Sequence, residues 1–151
     1  MKLLTKYFGE IEYDADDCLA FPNGLYGFED EQEFLLLPFE GSQATLLCLQ
    51  STKTPTLAFI LMDPFSLQAD YSPELRPAEL AALGVSESCE LCYYVMCVVK
   101  NPVASSTVNL KCPVAIHPDT RISAQVILET GSYEMRHLLS EFKSNEGAAV
   151  C

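Results

Sequence analysis

The 151-residue sequence is short of positive charge, short of histidine, and without any long uncharged apolar run. Nine Lys and Arg stand against 21 Asp and Glu, a formal net charge of -12. Such a field repels phosphate backbones and anionic lipid headgroups, which excludes nucleic acid and membrane as direct partners. The shortage is also local: from Tyr7 to Thr52 there is no Lys or Arg, while ten acids fall between Glu10 and Glu40. That stretch either draws a basic partner or forms a solvated face that aids solubility. No segment approaches the roughly eighteen apolar residues that cross a bilayer. Met1-Lys2-Leu3-Leu4-Thr5-Lys6 meets charge before a signal-peptide apolar segment forms, so the expectation is a soluble, cytoplasmic protein.

Catalytic chemistry is equally thin. His117 and His137 have no partner at metal-ligand spacing, and His117, at the end of a β run, is expected to be a structural hydrogen-bonding group rather than a base. Gly24-Leu25-Tyr26-Gly27 has the wrong length for a phosphate loop and lacks the following Lys or helix start. Asp14, Asp16 and Asp17 lack the glycine and distal Glu of a calcium loop. No cofactor or metal is expected, and the protein is expected not to be an enzyme.

The seven cysteines are an odd number without an export signal, which favours reduced thiols. Most lie in apolar runs, where cysteine acts as a small buried hydrophobe; Cys151, ending a polar tail, is the expected exposed one. Cys89-Glu90-Leu91-Cys92 is a C-x-x-C expected to open a strand. In extended chain its two sulfurs face opposite ways and neither pair nor chelate. A thiol- or metal-dependent enzyme stands as the rival reading.

What is present is period two. Apolar runs at Glu33–Pro38, Ala44–Gln50, Leu57–Met62 and Glu90–Lys100, then Ser105–Lys111, Val114–His117 and Arg121–Glu129, read as strands. Pro22-Asn23-Gly24, Asp63-Pro64, Asn101-Pro102 and Pro118-Asp119 supply turns between them. One helix is expected from Pro77, at a first-turn position, to Gly84, which closes its C-terminus. A second helical turn is expected over Met135–Phe142. The fold class is mainly β: one antiparallel β-barrel-like domain over residues 1–142 with one or two short helices, and a flexible tail over residues 143–151.

Several blocks carry a resemblance. "TKYFGEIEYD" (5–14), "FPNGLYGFED" (21–30), "LAFILMDPF" (57–65), "NLKCPVAIH" (109–117), "QVILE" (125–129) and "YEMRHLL" (133–139) resemble the bacterial flagellar assembly factor FliW family, in family order and over nearly the whole chain. Phe21-Pro22, Gly24-Leu25 and Gly27-Phe28-Glu29 form the most specific block, Asn109-Leu110 with Pro113 the second. Tyr26 stands where proline is frequent, Cys112 where alanine is usual and His117 where asparagine is common. The resemblance implies a noncatalytic β-barrel-like protein with two competing partners, flagellin and the RNA-binding translational repressor CsrA; a monomer is expected. It implies that the protein binds CsrA, relieves repression of flagellin mRNA, and is itself sequestered by flagellin. An acidic protein complements a basic repressor, whether it occupies the RNA groove as an acidic mimic or binds elsewhere.

Two segments are the candidate contacts. In 21–30, Phe21, Leu25 and Phe28 are expected to anchor the loop while Glu29, Asp30 and Glu31 stay outside, either as scaffold or as contact. In 63–71, taken as irregular, Asp63, Phe65, Leu67, Asp70 and Tyr71 place apolar groups beside acids, as a hot spot for a basic surface or as a cap on the core. Asn109 is expected to pin a neighbouring loop.

Overall fold

The computed structural model of the chain describes residues 1–41, 45–102, 105–129 and 133–140. A meander forms its spine: β3 (Cys18–Ala20), β4 (Glu33–Pro38), β5 (Leu46–Ser51), β6 (Ala58–Met62) and β7 (Cys92–Val98), each antiparallel to the next. Beyond β7 the sheet forks. The first half of β7 pairs with β9 (Val114–Ile116), which pairs with β10 (Ser123–Gln125). Its end pairs with β8 (Thr107–Val108), which pairs with β11 (His137–Leu138). β1 (Lys2–Leu4) and β2 (Glu10–Glu12) make a separate hairpin.

Period two explains the layering. Phe34, Leu49, Leu61, Val114 and Ile116, from one face of four different strands, meet Leu19, Phe21 and Leu25 in a single cluster. Tyr94 and Met96 of β7 pack against it, whereas Tyr93, Val95 and Cys97 point to the opposite face. There they join Tyr71, Leu75, Leu83, Leu110 and Leu128 in a second core. The outer face of β4 is covered instead by the N-terminal hairpin, through Leu3 and Ile11 on Leu35 and Leu37. The sheet's two ends meet at one parallel bridge, Ala20 with Ile122, where the Ala20 N–H donates to Arg121 O at 2.9 Å. The fold is therefore barrel-like, as expected, but no continuous ladder closes it.

Among the described residues two α-helices lie on the second core. α1 (Pro64–Leu67) starts where Asp63 Oδ1 accepts the Phe65 N–H at 2.9 Å, with Pro64 in the first turn. α2 (Pro77–Leu83) starts at Pro77 and ends at Gly84, whose φ of 75° lets the Val85 N–H return to Leu80 O at 3.0 Å. A buried Gln50 ties the hairpin loop to the spine: its Oε1 accepts the Lys6 N–H at 3.0 Å, and its Nε2 donates to Pro55 O at 3.1 Å and to Leu57 O at 3.3 Å.

Four expectations need correction. Residues 63–71 are not irregular throughout, because the Asp-Pro pair nucleates α1. Of the helical turn expected over Met135–Phe142, only Leu139 and Ser140 take a 3-10 turn; His137 and Leu138 lie in β11, because β8 offers them a ladder, and residues 141 and 142 fall outside the described chain. Cys89 sits in a 3-10 turn, Ser88–Glu90, and only Cys92 begins a strand, so the extended-chain geometry does not apply to the pair. The strand expected over Arg121–Glu129 ladders only at Ser123–Gln125. Beyond it, single bonds run from Val126 N to Pro113 O and from Leu128 N to Lys111 O. The expected tail, 143–151 with Cys151, lies outside the described residues.

Candidate functional site

The loop 21–30 is built from its turn chemistry. Phe21 is fully buried edge-on to Phe34, ring centroids 5.3 Å apart, and its carbonyl accepts the Gly24 N–H at 2.8 Å. Gly24 has φ 67°, and a Cβ there would lie 2.6 Å from Phe28 O and from the Glu29 Cα. Only glycine fits. Leu25 and Phe28 then exchange backbone bonds of 3.3 and 2.8 Å across Tyr26-Gly27, with Gly27 at φ 87° at the tip. From the far end of the chain, Gln125 Oε1 accepts the Tyr26 N–H at 3.1 Å.

The expected roles of this loop separate by burial. Phe21 and Leu25 are anchors, but Phe28 is 39% exposed and leans edge-on against Phe59. Glu29 and Asp30 are exposed. Glu31 is half-buried instead, accepting bonds from the Ser51 hydroxyl and, at 2.7 Å, from the Thr54 hydroxyl. The Ser51 hydroxyl holds its carboxyl below the usual carboxylate range.

Against this loop lies α2, and between them runs a groove of about 430 Å³. Leu25, Tyr26, Ala78, Ala82, Leu83 and Val126 supply its apolar lining, Glu29 and Glu79 its carboxylates. The Arg76 guanidinium sits beside it, 3.2 Å from Glu79 Oε2 and 3.5 Å from Glu129 Oε1. Sequence reasoning missed Ala78, Glu79, Ala82 and Gln125, since nothing in a helix of small residues signals which loop it will face.

A second groove, about 420 Å³, opens beside α1 and is lined by Phe65, Tyr71, Pro73, Glu74, Cys89 and Tyr93 among others. Phe65 is 42% exposed, edge-on to Tyr71 at 5.7 Å. Tyr71 is buried, and its hydroxyl donates to Leu110 O at 2.7 Å; burial pushes that phenol well above its usual range. Tyr93 is pushed up to about 12 by burial, its hydroxyl donating to Ser88 O at 2.6 Å. Leu67 packs half-buried on the core, Asp63 is occupied as the α1 cap, and Asp70 is exposed. The structure thus brings Phe65 and Tyr71 into one groove and Glu29 into the other. Asp30, Glu31, Asp63, Leu67 and Asp70 line neither.

The remaining polar groups hold turns. His117 Nδ1 accepts the N–H groups of Asp119 and Thr120 at 3.1 and 3.3 Å, the structural role expected of it. His137 Nε2 accepts the Glu134 N–H at 2.8 Å. Asn109 Oδ1 accepts the Cys112 N–H at 3.0 Å, pinning its own turn, with buried Pro113 next in sequence. Cys89 and Cys92 are exposed free thiols; hydrogen bonding to Glu87 raises the first, which opposes thiolate formation. Among the described residues no three His, Cys, Asp or Glu side chains group as metal ligands, and no helix is long and apolar enough to cross a membrane.

The model of the family described as FliW protein matches residues 2–139. A flagellar assembly factor FliW of Geobacillus sp. strain WCH70 is 37% identical over 139 residues, covering 92% of this chain and 95% of the relative. One from Natranaerobius thermophilus is 39% identical over 141 residues, covering 92% of each. A solved structure, the crystal structure of the flagellar assembly factor FliW, superposes with a TM-score of 0.85 at 35% identity, over 92% of this chain and 96% of that one. With the Phe21–Glu29 turn, the Asn109–Pro113 turn and the barrel-like sheet in place, the chain belongs to the FliW family.

Proposed function

We propose that this protein is a noncatalytic binding module of flagellar assembly that captures the repressor CsrA, relieves repression of flagellin mRNA, and is itself sequestered by flagellin. One observation carries the reading: of the ten acids between Tyr7 and Thr52, nine are exposed, with no Lys or Arg among them. A protein that holds RNA is basic, so these exposed carboxylates supply steering and orientation toward it. The contacts put forward are Glu29 and Asp30 for the basic partner, and Phe65 with Asp70 as an apolar contact with an acidic neighbour. Asp63, Leu67 and Tyr71 hold α1 and the Phe65 ring in place, and Glu31 braces the 51–54 turn.

A competition pull-down tests the reading, using the tagged protein with CsrA and flagellin from the same organism. Each partner is expected to be captured alone and flagellin to displace CsrA. Capture of neither would overturn it. Excess RNA that displaces CsrA in step with its own binding would mark the protein as an acidic mimic in the RNA groove; an unchanged complex places it elsewhere on the repressor.

A further inference from the structure

We propose that the groove between loop 23–29 and α2 is the docking site for a cationic segment that inserts an aliphatic anchor, and that Arg76 occupies the place of the incoming cation until it arrives. The inference rests on the proposed capture of a basic partner and locates it. The floor is apolar: Leu25 and Leu83 are buried beneath it, and Ala78 and Ala82, one turn apart on α2, leave the space that larger side chains would fill. An aliphatic side chain gains about 25 cal/mol per Å² on leaving water for such a floor.

The walls are preformed. Gly24 has no room for a Cβ, the Leu25–Phe28 hairpin is closed by its own backbone bonds, and Gln125 fixes the Tyr26 N–H. Binding therefore orders little, and the cost of immobilising the loop is already met within the fold. Tyr26, 53% exposed at the wall, is the residue type most suited to an anchor contact.

The rim selects the charge. Glu29 and Glu79 line the groove and no Lys or Arg does. Arg76 reaches the rim from outside, bonding Glu79 and Glu129 with a side chain that is 55% exposed, and Tyr26 feels the charge of both Arg76 and Glu79. A guanidinium at that position already pairs with Glu79, the one groove carboxylate that it reaches. An incoming Lys or Arg must compete with it, so removing Arg76 strengthens capture instead of weakening it. A role of Arg76 in merely stabilising α2 gives the opposite sign.

The test is calorimetric titration of CsrA into the wild type, Ala82→Trp and Arg76→Gln, with flagellin capture measured in parallel. Ala82 is exposed, so tryptophan there fills the groove without entering the core; circular dichroism checks the fold of each variant. Ala82→Trp is expected to weaken CsrA binding at least about tenfold, the loss typical of a blocked anchor pocket. Arg76→Gln is expected to tighten it about threefold at low salt, the scale of one exposed ion pair. Wild-type affinity in Ala82→Trp, or weaker binding in a folded Arg76→Gln, overturns the docking site and leaves the family reading standing. Failure of the wild type to bind CsrA takes down both.

Discussion

The Tyr71 hydroxyl donates to the Leu110 carbonyl at 2.7 Å, across 39 positions of sequence. This bond pins the segment after α1 to the second core, and the Tyr71 ring in turn stacks edge-on with Phe65 and Tyr133, at 5.7 and 4.7 Å. A buried carbonyl that loses its donor costs about 1–3 kcal/mol. Tyr71→Phe is therefore expected to lower unfolding free energy by that amount in urea titration.

Phe65→Ala has a different signature. The ring is 42% exposed, so stability is expected to fall by about 1 kcal/mol or less, while capture of CsrA or flagellin weakens. Unchanged capture of both, in a folded variant, removes Phe65 from the contact surface.

The two loop glycines should respond unequally. At Gly24 an added methyl group meets backbone at 2.6 Å, and at Gly27 it meets nothing within 4 Å, although both have positive φ. Gly24→Ala is expected to cost more than about 2 kcal/mol and Gly27→Ala about 1 kcal/mol. Equal denaturation midpoints would contradict the packing described for this turn.

Where local chemistry decided the outcome, the sequence was readable. The apolar run of β4 ends at Glu33 and Pro38, and α2 runs from Pro77 to the Gly84 cap, as their sequences imply, because each boundary is set by residues at the boundary. β8 falls inside the apolar run 105–111 but keeps only two residues of it, and β11 is not legible, since it exists through a ladder to β8 some thirty positions away. The same holds for the site. Glu29 and Phe65 could be named from composition and exposure, and Tyr71 could be named but not recognised as buried, because its partner is Leu110. The loop–α2 groove is not legible in sequence, because Leu25 and Ala82 meet only in the fold, and Asp63 shows itself as a cap only through its bond to the Phe65 N–H.

Thiol chemistry gives a pH signature. Burial raises Cys48 and Cys97 from 9.0 to about 11 each. Their folded values lie above the unfolded ones, so the folded state keeps protons that the unfolded state releases. The associated stability is full below pH about 9 and is lost as pH rises toward about 11. Chemical denaturation across that window is expected to show a falling stability, with a shallower fall in Cys48→Ala/Cys97→Ala. In a Cys151→Ser background at neutral pH, Cys89 and Cys92 are expected to be alkylated before either, by mass spectrometry of native protein. Early labelling of Cys48 would contradict its burial.

The central claim is that an electronegative, preformed surface recognises a cationic partner. Its most direct test is calorimetric titration of CsrA into the wild type and into Glu12→Gln/Asp16→Asn/Glu29→Gln/Asp30→Asn, at about 0.05 M and about 0.5 M salt, which brackets strong and weak screening. The account predicts that wild-type affinity falls steeply with salt, and that the amide variant, folded by circular dichroism, binds several-fold more weakly at low salt with a flatter salt dependence. Equal affinity and equal salt dependence in the two proteins would contradict it.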